Sequence, residues 1–109
     1  AIQQGYIRAA EVPMETARSG CELLGITLIE LATNCNANAI TDLGAAAELT
    51  HSAISIAALN VRINIDSVGP NITSETDVLL ASMNRMIDDI ESHGAKLTGE
   101  IREIVSRRM

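Results

Sequence analysis

Thr41-Asp42-Leu43-Gly44-Ala45-Ala46-Ala47-Glu48-Leu49-Thr50-His51-Ser52-Ala53-Ile54-Ser55-Ile56-Ala57-Ala58-Leu59-Asn60-Val61-Arg62-Ile63-Asn64-Ile65 holds no proline and surrounds itself with apolar or small residues. Such a stretch offers water no polar face, so it reads as a buried helix running from Thr41 or Asp42 to Ile65, with Thr41 as its cap. A buried helix needs others around it. The fold class that follows is all-α: a bundle of long antiparallel helices packed about this central one.

The flanking sequence supplies those helices. A short one is expected over Ala1–Glu11, after which Pro13 kinks or restarts the chain because it has no amide hydrogen to donate. From Met14 to about Thr33, Ala17, Cys21, Leu24, Leu28 and Leu31 line up on one face, and Gly20 and Gly25 predict close helix approach. Asn34 to Ile40 reads as a loop, and Ser67-Val68-Gly69-Pro70-Asn71 as a break. The last helix begins near Thr73 or Ser74. Its Leu80, Met83, Ile87, Ile90, Gly94, Leu97, Ile101 and Ile104 recur at alternating three- and four-residue steps, which makes a seam for packing against the protein's own helices or a symmetry mate, with a partner-binding coiled coil as the alternative. Glu75 and Asp77 at its start and Arg102, Arg107 and Arg108 near its end suit the helix dipole.

Composition narrows the function classes. A chain of 109 residues allows a single helical domain, here 1–109, whose helical opening at Ala1-Ile2-Gln3-Gln4 reads as the C-terminal part of a longer fold. With Tyr6 as the sole aromatic and 14 acidic against 8 basic residues, a nucleic-acid surface, which wants cations and stacking rings, is not expected. No apolar run approaches the roughly 20 residues that span a bilayer. Cys21 and Cys35 lack metal-ligand spacing and read as reduced structural thiols; His51 and His93 read as structural. The expectation is a cytoplasmic protein with no metal, no nucleic acid and no membrane partner.

Two polar clusters interrupt the apolar pattern: Asn36, Asn38 and Asp42 at one end of the long helix, Asn60, Arg62 and Asn64 at the other. Buried polar groups need partners, so the clusters call for a site. At about 100° per residue Asp42, Leu49, Ala53, Ile56, Asn60 and Asn64 share a side, and Arg62 falls opposite with His51, Ser55 and Ala58. Eighteen residues hold Asp42 and Asn60 about 27 Å apart in one helix. An antiparallel copy from a second subunit would bring them together, which predicts a homodimer with its site at the interface.

Val12-Pro13-Met14-Glu15-Thr16-Ala17, Asn36-Ala37-Asn38, Thr41-Asp42-Leu43-Gly44 and Asn60-Val61-Arg62-Ile63-Asn64 resemble, in order, the V-P-L-x-T-A, N-P-N, S-D-L-G and N-V-R-I-N motifs of the C-terminal half of the cyclodeaminase/cyclohydrolase family. Ala37 stands where that family commonly has proline, and its P-x-G-G-S stretch has no counterpart here. The resemblance implies an all-helical, dimeric, metal-independent enzyme of one-carbon folate metabolism. Its substrate would be a tetrahydrofolate derivative: 5,10-methenyltetrahydrofolate, interconverted with the 10-formyl form by a cyclohydrolase or with the 5-formimino form by a cyclodeaminase. A separate chain supplying the missing half is a further partner it implies, and a non-catalytic helical oligomerisation module derived from such an enzyme is the alternative. Asp42, the only carboxylate in the two clusters, is the candidate catalytic residue, with helix capping as its other role. Asn36, Asn38, Asn60 and Asn64 are candidates to hold pterin or water, or else to tie helix ends together. Arg62 is the candidate for a folate carboxylate, or for an ion pair within the protein.

Overall fold

The computed structural model describes residues 2–109, which form three long helical columns and, among the described residues, no strand. The first column comprises α1 (Ile2–Glu22), a π-helical turn (Leu23–Leu28) and α2 (Ile29–Asn34). A 3-10 turn (Ala37–Ala39) leads into α3 (Ile40–Ser67), and α4 (Ser74–Arg108) closes the chain. The expectation of an all-helical chain holds. At 1.5 Å per residue the 35 residues of α4 run about 52 Å, nearly the whole 55 Å length of the molecule, which is only 17 by 16 Å across.

Packing follows small residues. Ile54 of α3, fully buried, fills the space left by Gly20 of α1 and Gly94 of α4; a methyl group on Gly20 would lie 2.6 Å from Ile54 Cγ1, and one on Gly94 3.1 Å from Ile54 Cδ1. Gly25 likewise admits Leu97, whose Cδ1 would stand 3.3 Å from an added methyl. The close approach expected at Gly20 and Gly25 is present. The seam of α4 packs inward too: Leu80, Met83, Ile87, Gly94, Leu97 and Ile101 are buried, and Ile90 and Ile104 rest against the same core.

Four local expectations are corrected. Pro13 neither breaks nor restarts the first helix, which runs through it from Ile2 to Glu22. The carbonyl Pro13 deprives of a partner is that of Ala9, four residues back, and the Asn64 side chain reaches it from α3. The second correction is the π-helical turn, marked by Ile29 N–H donating to Leu24 O five residues earlier. Its wider turn shifts the inward face, so Ala32 is buried and Leu31, expected inside, is exposed. Thirdly, α3 starts before Thr41: Ala39 occupies the cap position without a side-chain bond, and the 3-10 turn, in which Ala39 N–H donates to Asn36 O at 2.9 Å, delivers the chain into the helix. Lastly, α3 is not buried all round. It packs on α1 and α4 through Leu43, Ala47, Ile54, Ala57, Ala58, Val61 and Ile65, while Leu49, Ile56, Leu59 and Ile63 are exposed.

The other ends are built as expected. Thr73 caps α4, its hydroxyl accepting from Thr76 N–H at 3.1 Å. Gly69 takes φ +88° in the turn before it, a left-handed backbone that glycine adopts without strain. At the far end of the molecule the Arg108 guanidinium donates to the carbonyls of Ala32 (2.7 Å) and Cys35, so the last residues of α4 satisfy carbonyls that α2 leaves open.

Candidate functional site

Two distant stretches of sequence meet along the α1–α3 contact. Val12, Pro13 and Thr16 of α1 face Ile56, Asn60 and Asn64 of α3 across an open groove of about 390 Å³. The groove exists because the side chains that border it are small or short, and because α1 and α3 run in opposite directions: Ala9 lies against Asn64, and Gly20 against Thr50 and Ile54. Asn64 Nδ2 donates to its own helix at Asn60 O (2.9 Å) and across the groove to Ala9 O (3.5 Å). Asn60 is exposed and lines the groove. A surface of this kind presents neutral donors and acceptors beside apolar carbon, which suits a flat polar heterocycle more than an anion.

The remaining candidates lie elsewhere. Asn36 and Asn38 are exposed around the 3-10 turn, and Asp42 is exposed in the first turn of α3, where the positive end of the helix dipole favours its negative charge. Since α3 is continuous from Ile40 to Ser67, the separation of about 27 Å between Asp42 and Asn60 stands within one chain. Arg62 faces α4, away from the groove. It pairs with Asp88 (2.7 Å) and Glu91 (2.9 Å), contacts that raise its pKa further above the ordinary arginine value, the hydrogen bond to Asp88 first among the causes. The structure thus joins Asn60 to Asn64, sets Asn36, Asn38 and Asp42 at the opposite end, and ties Arg62 to a third helix.

Val12, Pro13 and Thr16 are the groove residues that sequence reasoning did not name as site residues. Their signal was present, because they belong to the same V-P-x-x-T run quoted above, but that run was read for the family it resembles and Pro13 for its effect on the helix. Neither cysteine belongs to the groove: both are free thiols, Cys21 donating to Ile90 O at 3.3 Å with its pKa pushed up by burial, and Cys35 beside Arg108. No group of three or more metal-ligating side chains gathers among the described residues, and no helix of the described residues is long and apolar enough to cross a membrane.

Comparison with curated proteins and with solved structures finds no match in either set. Comparison with family models does: the model described as formiminotransferase-cyclodeaminase matches residues 1–78. That span takes in α1, the groove, the 3-10 turn and all of α3, and stops in the second turn of α4. Matched over more than half its length, this chain belongs to the formiminotransferase-cyclodeaminase family.

Proposed function

We propose that this chain serves one-carbon folate metabolism as a cytoplasmic homodimer, interconverting 5,10-methenyltetrahydrofolate with its 10-formyl form by hydration or with its 5-formimino form by loss or addition of ammonia. The observation that carries the reading is the meeting of Val12, Pro13 and Thr16 with Asn60 and Asn64 in one groove, within a chain of this family. Both reactions pass through a tetrahedral carbon flanked by two nitrogens. The methenyl bridge is already a cation, so the protein's task is to position water or ammonia and to move one proton, and the reading assigns no metal.

Each residue then has a part. The amides of Asn60 and Asn64 hold the pterin edge or the attacking water, Asn36 and Asn38 do the same from the other end, and Asp42 carries the proton or stabilises the cationic carbon. Because Asp42 lies about 27 Å from Asn60 in its own helix, a complete site draws Asp42 from a second copy. Arg62 reaches a folate carboxylate only by exchanging it for Asp88 or Glu91.

The test is loss of the methenyl absorbance in the presence of the chain at increasing concentration. Hydrolysis above the uncatalysed rate, rising more steeply than protein concentration until dimers saturate, is the expected result; a folded sample without catalysis at any concentration overturns the enzymatic reading. A second reading, a non-catalytic helical oligomerisation module, is favoured by the exposed apolar side of α3 and by the commitment of Arg62 to α4.

A further inference from the structure

No charged side chain lines the groove, but its two ends differ. Beyond Val12, Glu11, Glu15 and Ser19 border a shallow hollow beside Thr16, so that end is rimmed by carboxylates. Toward the start of α1 the rim holds Arg8, exposed, one residue before Ala9 and one turn before Val12, both of which line the groove.

Arg8 is the cation left over. The two helices that form the groove carry three: Arg18 is paired with Glu15, Arg62 with Asp88 and Glu91, and Arg8 with no partner among the described residues. Every other Arg or Lys belongs to α4, which contributes no residue to the groove. Side chains in a helix lean toward its N-terminus, so the Arg8 guanidinium reaches back over the preceding turn. Gly5 leaves open space there, since a methyl group on it would meet nothing within 4 Å. Across from Gly5 the wall continues on α3. Ala9 is level with Asn64 and Gln3 with Val68, whose carbonyl accepts from the Gln3 amide at 3.4 Å, so Gly5 falls beside the last turn of α3, where Ser67 is exposed.

A folate presents two different ends: a pterin with neutral donors and acceptors, and a glutamate tail with two carboxylates. The amides of Asn60 and Asn64 suit the first, and nothing within the groove suits the second. Laid toward Glu15, the tail would set carboxylate against carboxylate. Laid toward Gly5, it meets a guanidinium whose planar fork matches a carboxylate. We infer that Arg8 binds the glutamate carboxylate of the folate substrate, with the tail leaving the groove over Gly5. Arg8, rather than Arg62, then gives the site its preference for a charged tail. This rests on the folate reading above and adds to it a direction and a specificity-determining residue.

Binding is the readout, so the outcome stands apart from turnover. Folic acid is titrated calorimetrically into the full chain, and folic acid dimethyl ester, the same molecule without its two charges, is titrated beside it. Arg8→Gln is expected to weaken folic acid about fivefold, the size of an exposed charge pair, with unchanged helicity, and to leave the ester unaffected. Arg8→Lys is expected to recover part of the loss. Equal weakening of acid and ester in Arg8→Gln overturns the inference, because a merely structural role would act on both. So does folic acid binding that Arg8→Gln leaves at wild-type strength, or a loss in Arg62→Gln with none in Arg8→Gln. A chain that turns nothing over yet shows the charge-dependent loss upholds the inference while the enzymatic reading falls; a wild-type chain that binds no folic acid at millimolar concentration overturns both.

Discussion

The side-chain amide of Asn64 reaches from α3 to the carbonyl of Ala9 in α1, at 3.5 Å, and Ala9 is the residue whose carbonyl Pro13 leaves without a backbone donor. The bond is long, and its donor also serves Asn60 O. It nonetheless couples a proline within a helix to a side chain on the facing one. Asn64→Ala is expected to lower stability by about 0.5–1.5 kcal/mol. In a Pro13→Ala background, where Ala9 O regains an amide, the same change is expected to do less, and Pro13→Ala alone to raise the thermal midpoint because alanine suits a helix interior better. A double-mutant cycle by denaturant unfolding checks this, and additive effects would show that Asn64 does not act through Ala9.

Ile54 between Gly20 and Gly94 gives a second prediction. Gly20→Ala is expected to destabilise by about 1–3 kcal/mol, its methyl forced against Ile54 Cγ1, despite the gain in helix propensity. Gly94→Ala crowds only Ile54 Cδ1, at 3.1 Å, whereas Gly20→Ala meets that atom at 3.1 Å as well as Cγ1. Ile54→Val removes Cδ1 and keeps the branch at Cβ, so it is expected to rescue Gly94→Ala more fully than Gly20→Ala, whose clash with Cγ1 remains. Thermal midpoints of the three single and two double variants test the pair; equal rescue of both glycines would contradict the packing described.

The site reading separates Asp42 from Arg62. Asp42→Asn keeps the shape of an exposed side chain in the first turn of α3, with at most about 1 kcal/mol lost from its interaction with the helix end. Turnover of 5,10-methenyltetrahydrofolate is expected to fall at least about a hundredfold in this variant. Arg62→Met is expected instead to cost stability, about 1 kcal/mol or less for exposed ion pairs, and to leave turnover near wild type at saturating substrate. Wild-type turnover in Asp42→Asn would remove Asp42 from the chemistry.

Acid sensitivity follows from Glu48. The Arg102 guanidinium, hydrogen-bonded to its carboxylate, holds Glu48 below the usual glutamate pKa. A carboxyl with a lower pKa folded than unfolded stabilises the fold above the unfolded value, about 4.3, and loses that contribution as pH falls through the folded value. Wild type is therefore expected to lose thermal stability between about pH 4 and pH 2 more steeply than Glu48→Gln, and about 1 M salt is expected to shrink the difference. Parallel pH profiles for the two proteins would show that the pair is idle.

Much of the architecture was legible because periodicity reports it. The inward seam from Leu80 to Ile104 and the tight glycines at 20 and 25 appear in the structure where the spacing put them. The exposed half of α3 was not legible. Leu49, Ile56 and Ile63 look the same in sequence whether a neighbour covers them or water does, so a helix apolar all round was read as a helix buried all round. Leu31 was placed inside because a regular 3.6-residue repeat was assumed through Leu23–Leu28, and no residue there announces a π turn. At the site, the polar clusters were visible as interruptions of an apolar pattern. The joining of Val12 and Thr16 to Asn60, and of Arg62 to Asp88 and Glu91, depends on how α1 and α4 are set against α3, which no local pattern encodes.

The π turn also bears on how the chain length can change. Leu23–Leu28 carries one residue more than an ordinary helix needs to cover the same path, and it does so without breaking the column. A deletion there leaves an ordinary hydrogen-bonded helix over the same path, so Ile29 to the Asn36–Asn38 turn keep the faces they now present. A deletion in α3 has no such outlet, because Ile54 and its two glycines fix the register from both sides. A single-residue shortening is thus absorbed near one end of the molecule and is a rupture in its middle.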